Sequence, residues 1–335
     1  MRRIFLILVL ISSLPLPDAN GRTVLRQRRQ YQVRPRKPII QNNNTVEFEL
    51  SYDFAVPGET FKISLIVALP QTIPGKQKIV DIKYSPKSPR VFQGNGNKYA
   101  EFVFIRPQKR MKVKISIKAE LSRYDLLTAR AMRLKDLAQG PGFEDFVKQE
   151  KNIEKDHLQI YEIAKIIEGK TEVDVVKSIY GYVVDNLDYT LHGKEDWGAV
   201  KALKQGKGDC SEYSDLFVAI CRAKNIPARV ASGYTERFDG VTSKHHWAEV
   251  YLKKYGWAPF EPSWGDVENT MFRNKAFGQM KPVYIYLSHI RNDKVLRNNQ
   301  FYYYKYWGDR VSMTDSIKFK PTTRNPSGRG RSISK

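Results

Sequence analysis

Cysteine is almost absent: 335 residues contain two, Cys210 and Cys221. Were both on one helix, eleven residues of rise would hold them about 16 Å apart, beyond the roughly 7 Å that a disulfide spans. A disulfide framework is excluded, and so is a sulfur-rich zinc site. Histidine is nearly as scarce, at five. His157, His192 and His289 are scattered without metal-ligand spacing, so neither a metal nor another cofactor is expected. No internal repeat is visible. Long apolar runs are missing too. Ile4 to Ile11 follows Arg2-Arg3 and precedes Ser12-Ser13-Leu14-Pro15, too short for a transmembrane anchor. It has the form of a secretory signal cut near Ala19 to Gly21, which predicts an extracytoplasmic protein, periplasmic or secreted.

Acidic residues are missing from two stretches. Residues 21–40 carry Arg22, Arg26, Arg28, Arg29, Arg34, Arg36 and Lys37, and residues 317–335 carry Lys318, Lys320, Arg324, Arg329, Arg331 and Lys335. These account for 13 of the 22 units of net positive charge. Solvated basic arms are the expectation, making weak contact with an anionic envelope surface. No groove-reading motif accompanies them, so specific nucleic-acid binding is not expected.

The whole chain is 41% hydrophobic and 27% charged, enough for a packed core. Val46 to Leu50, Phe61 to Leu69 and Val113 to Ile117 have strand character, separated by turns rich in Gly, Pro and Asn. The organisation read from these shifts is a signal peptide (1–20), a basic arm (21–44), a sandwich-like β domain (45–120) and a connector (121–152). A catalytic domain (153–319) and a basic tail (320–335) follow. Within 153–319, helical patterning covers Ile153 to Ile167, Val173 to Leu187 and Trp197 to Leu203, and strands follow Pro227. The fold class expected is α+β.

The informative stretch is Gly206 to Pro227. Asp209 with Glu212 three residues on has the form of a capping box, which puts Cys210 at the first helical position. Leu216, Phe217, Ile220 and Cys221 share the buried face, and Pro227 ends the helix. A thiol there feels the positive end of the helix dipole, which favours thiolate. Further on, His245 to Leu252 alternates as a strand, with His245, Trp247, Glu249 and Tyr251 on one face and His246, Ala248, Val250 and Leu252 on the other. Trp257 to Phe260 returns the chain to Glu261-Pro262. A helix-borne thiol, a strand-borne histidine and a carboxylate are what thiol acyl transfer requires.

With these blocks in view, the chain resembles the transglutaminase-like superfamily, which shares a papain-like core. GDCSEYSDLFVAICRAKNIPARVASGY is similar to its nucleophile block, HHWAEVYL to its histidine block and YGWAPFEPSWG to its carboxylate block. The likeness is specific over about 173–266 and looser over 45–120, which resembles the β domain of exported bacterial members. It implies Cys210 as nucleophile, His245 (two before Trp247) as its base and Glu261 as the orienting acid. Trp197 is the candidate upstream oxyanion donor, with a core aromatic as the equally open alternative. Trp247 is taken for packing or a groove wall, and Glu249 and Tyr251 for cleft lining or exposed sheet. Family members usually place Asp before the proline. Here it is Glu261, with Asp266 held in reserve.

Hairpin parity adds a condition. An even loop, Lys253 to Gly256, sends Glu261 to the face opposite His245. A three-residue loop, Lys253 to Tyr255, or a bulge near Gly256 restores it, and this is expected. The implied activity is cleavage or transfer at amide bonds of a protein or peptide substrate through a thioester. Hydrolysis is favoured because excluding water takes a built tunnel. A catalytically silent scaffold is the alternative.

Overall fold

The structure is a computed structural model describing residues 43–129, 143–193, 196–236, 242–267 and 270–320. These lie within one compact unit, Ile40–Lys335. The signal peptide, nearly all of the basic arm, part of the connector and nearly all of the basic tail fall outside the described residues.

The first strand, β1 (Asn43–Ala55), buries Val46, Phe48, Leu50, Tyr52 and Phe54 on one face. Its opposite face carries Glu47, Glu49 and Asp53, which pair across to Lys118, Lys114 and Lys112 of the sixth strand. Alternation of this kind fixes register, because a one-residue slip would expose every core side chain. After β2 (Thr60–Leu69), β3 (Gln77–Ser85), β4 (Arg90–Gly94), β5 (Asn97–Ile105) and β6 (Arg110–Ser122), the chain leaves this layer through the short β7 (Tyr124–Asp125).

The helical half follows as α1 (Leu158–Ile166), α2 (Glu172–Asn186), β8 (Asp188–Tyr189), α3 (Gly198–Gln205), β9 (Lys207–Gly208) and α4 (Cys210–Ala223). Then come β10 (Ala228–Glu236), β11 (Thr242–Leu252), β12 (Gly256–Phe260), α5 (Thr270–Ala276), β13 (Gln279–Met280) and β14 (Tyr284–Ser288). An antiparallel sheet ordered β12-β11-β10-β14 forms the floor on which α4 lies. The fold is α+β, as read from the sequence.

The last two strands correct the expected division. β15 (Tyr302–Gly308) pairs with β2, and β16 (Ser312–Lys320) pairs with β1. They complete two four-stranded sheets, β16-β1-β6-β3 and β15-β2-β5-β4, rather than extending the catalytic half. Residues of both sheets share one core, with Tyr52 edge-on to Tyr302 and Phe54 to Tyr304. Tyr234 of β10 and Ile285 and Leu287 of β14 belong to that same core, so the sandwich and the helical half are welded together. Strands are expected after Pro227, but the partners of these two lie 235 to 273 residues away in sequence.

Helix α4 departs from the amphipathic expectation in an informative way. Every residue from Ser211 to Arg222 is buried, not one face alone. A helix surrounded by protein must satisfy its polar side chains internally. Arg291 does so for Asp215 with a bidentate pair at 2.8 and 2.9 Å. Arg222 reaches the Ala228 carbonyl at 2.8 Å and Glu150 at 2.8 Å. The helix ends in a Schellman turn: Ile226 N–H bonds to Cys221 O, Asn225 N–H bonds to Arg222 O, and Asn225 is left-handed (φ 58°).

Candidate active site

Local sequence fixes where α4 begins. Asp209 Oδ1 accepts from Ser211 N at 2.8 Å, and Glu212 Oε2 accepts from Asp209 N at 3.1 Å, completing the capping box. Cys210 is therefore held in the first turn, partly exposed, while Cys221 is wholly buried about three turns further along the helix. Burial pushes the Cys221 thiol far above its ordinary range, leaving it inert.

The hairpin from β11 to β12 has the three-residue loop expected: Leu252 pairs with Gly256 and Ala248 with Phe260. Gly256 takes the left-handed conformation (φ 69°) that this turn needs. Odd parity sends Glu261 to the side of His245, and the two meet, with His245 Nε2 at 2.5 Å from Glu261 Oε2. The Cys210 sulfur also acts on this ring, favouring its charged form. One imidazole thus feels both the sulfur and the carboxylate. Burial alone disfavours the imidazolium, but the Glu261 charge and the Cys210 sulfur outweigh it and raise His245 well above its ordinary value.

Glu261 is only 2% exposed, and its extra methylene relative to aspartate is absorbed by further partners. Ser263 Oγ donates to Oε1 at 2.6 Å and Tyr284 O–H donates to Oε2 at 3.3 Å. Tyr180 O–H holds the Glu261 backbone carbonyl at 3.1 Å. Burial and the neighbouring Glu261 charge keep the Tyr284 phenol far above its usual value, so it stays a donor. A further feature lies on the strand beside His245. Gly233 faces His245 across β10 and β11, where the pairing of β10 with β14 shifts register between Ser232 and Gly233. A Cβ there would stand 1.9 Å from the Ile285 carbonyl oxygen.

The other candidates fall elsewhere. Asp266, the reserve acid, accepts from Tyr189 N at 3.0 Å and Tyr213 O–H at 2.9 Å, with Glu261 filling the place beside His245. Trp247 is fully buried against Tyr284 and Tyr286, which removes it as a cleft or oxyanion residue. Trp197 lies at the α4 entrance, stacked on His192 at 3.7 Å, and its backbone N–H donates to Glu212 at 3.0 Å. Glu249 corrects the exposed-sheet reading: it is fully buried, ion-paired with Lys76 from the sandwich and with Arg229 at 2.7 Å.

Sequence reasoning missed Ser263, Tyr284 and a second polar chain. In that chain His246 Nε2 bonds to Gln300 Oε1, and His246 Nδ1 lies 3.1 Å from Ser211 Oγ and 3.9 Å from Cys210 Sγ. The His-His pair was visible, but nothing in the sequence connects it to Gln300.

Comparison with known proteins bears on the family and the fold. Residues 162–262, which run from within α1 to the Glu261-Pro262 turn, match the transglutaminase-like superfamily core. An uncharacterized protein of Haemophilus influenzae is 26% identical over 263 residues, covering 66% of this chain and 70% of its own. The uncharacterized protein YebA of Bacillus subtilis is 26% identical over 131 residues, 35% of this chain but 17% of its own length. Among solved structures, a candidate cysteine protease from Cytophaga hutchinsonii shares the fold with TM-score 0.55 at 16% identity, over 83% of this chain and 91% of its own.

Proposed function

Residues 162–262 of this chain form a transglutaminase-like core, and from that premise we propose that it is a thiol enzyme hydrolysing amide bonds in protein or peptide substrates. The observation carrying this is the His245 ring, 2.5 Å from a buried carboxylate and favoured in its charged form by that carboxylate and by the Cys210 sulfur. Cys210 Sγ, as thiolate, attacks the carbonyl carbon and a C–S bond forms. The C–N bond breaks, and the leaving amine takes its proton from the His245 imidazolium. Glu261 holds the ring oriented and favours its charge throughout. The backbone N–H of Cys210, in the first turn of α4, is the donor assigned to the developing oxyanion. Water then gives a proton to His245 and attacks the thioester, C–S breaks, and the acid leaves.

Hydrolysis is chosen over transfer because water reaches any thioester that is not enclosed. The basic-then-apolar segment at residues 2–11 supports work outside the cytoplasm. Among the described residues no helix is long and apolar enough to cross a membrane. The test is incubation with an unfolded protein, counting new amino termini and weighing the enzyme. Cys210-dependent termini support the reading, and incorporation of an added amine without new termini turns it to transamidation. Absence of turnover together with absence of any mass adduct on Cys210 would overturn it.

A further inference from the structure

Cys210 is approached by two imidazoles from adjacent residues, and the two are prepared in opposite ways. His245 is backed by a carboxylate, whereas His246 is backed by an amide. The amide's orientation follows from its own partners. Gln300 Nε2 donates to the Arg291 carbonyl at 3.2 Å, so Oε1 faces His246 and also lies 3.4 Å from Ser232 Oγ. His246 Nε2 must then carry the proton it shares with Oε1. Nδ1 is left as a bare lone pair aimed at Ser211 Oγ, 3.1 Å away, and at Cys210 Sγ, 3.9 Å away.

This acceptor stays neutral. Burial, then Arg291, then His245 push His246 down to about 3, with only weak opposition from the amide and Asp196. Asp209 at the α4 cap is the other charged group that interacts with it. A neutral lone pair attracts an S–H and repels a thiolate, while the imidazolium of His245 does the reverse.

We propose that His246, with its tautomer fixed by Gln300, is a positioning residue that stabilises the protonated form of Cys210 and opposes His245. Ser211 competes with the sulfhydryl for the same lone pair. Gln300 immediately precedes Phe301, whose carbonyl accepts from Ala68 N at the end of β2. Through this amide the end of β2 is connected to His246. The inference rests on the reading of Cys210 and His245 as a reactive pair.

The experiment is the pH dependence of iodoacetamide alkylation of Cys210 in the full chain, with Cys221 silent and Cys210→Ser as blank. Two substitutions should move the midpoint in opposite directions. His246→Val removes the acceptor and lowers it by about half a pH unit, roughly threefold in rate on the acid limb. Ser211→Ala frees the acceptor for the sulfhydryl and raises it by a similar amount. A structural role alone would not give opposite signs. Shifts of the same sign, or none in Ser211→Ala, overturn the proposal even if His246→Val fails to fold. If His245→Ala still slows labelling in that case, the thiol-enzyme reading stands and only the role of His246 falls. If wild-type Cys210 labels like an ordinary thiol and ignores His245→Ala, both fall together.

Discussion

Replacing Glu261 by glutamine keeps the shape of the side chain and removes its charge. The carboxylate is 2% exposed and 2.5 Å from the ring, so the interaction is a desolvated, charge-assisted hydrogen bond. Such bonds contribute about 1.5–3 kcal/mol, which at about 1.4 kcal/mol per pKa unit is roughly one to two units on the coupled Cys210–His245 pair. The Glu261 charge is the largest influence raising His245, so Glu261→Gln lowers His245 and moves the labelling midpoint of Cys210 up. At a pH below both midpoints, iodoacetamide labelling slows by about 10–100-fold. Glu261→Asp retains the charge but withdraws it by roughly one C–C bond, about 1.5 Å, and falls between. The stability sign follows from the same shift. His245 is raised above its unfolded value near 6.5, so its contribution is full below that pH and is lost as pH rises through the folded value. Glu261→Gln should therefore lower Tm most in mildly acidic buffer and least in alkaline buffer. An unchanged labelling profile would refute the assignment of Glu261 as the group that charges His245.

Other substitutions probe the supports of the site. Glu249→Gln leaves Lys76 and Arg229 facing an amide, and breaking a buried pair of this kind costs about 3–5 kcal/mol, read in urea unfolding. Because Lys76, Arg229 and His289 hold the Glu249 carboxyl well below the usual range despite its burial, its stabilisation is present above about pH 4.5 and lost as pH falls. Wild type should lose stability in acid more steeply than the variant. Gly233→Ala drives a methyl into the Ile285 carbonyl and should cost about 1–3 kcal/mol by the same unfolding measurement, with Cys210 labelling slowed as β10 and β14 separate. Asp209→Ala removes the α4 cap and should cost about 1 kcal/mol in thermal melting.

Local signals were legible because their causes are local. The capping box at Asp209 and Glu212, the three-residue loop before Gly256 and the approach of Glu261 to His245 each follow from a few neighbouring residues. What escaped depends on partners far away in sequence. Glu249 reads as solvent-facing in a strand until Lys76, 173 residues earlier, covers it. The sequence suggests a strand over Val311 to Phe319, but only the folded chain places it beside β1. Alternation sets His246 on the core-facing side of β11 with Val250 and Leu252, which did not announce that it also lies beside Ser211 and Cys210 at the start of α4.

The central claim is that sulfur and ring share their proton so that charge separates at neutral pH. It is tested most directly by the ultraviolet absorbance of thiolate near 240 nm at pH 7, taken as wild type minus Cys210→Ser. One thiolate's worth of absorbance, abolished by His245→Ala, is the predicted result. Equal absorbance with and without the His245 ring would contradict the account.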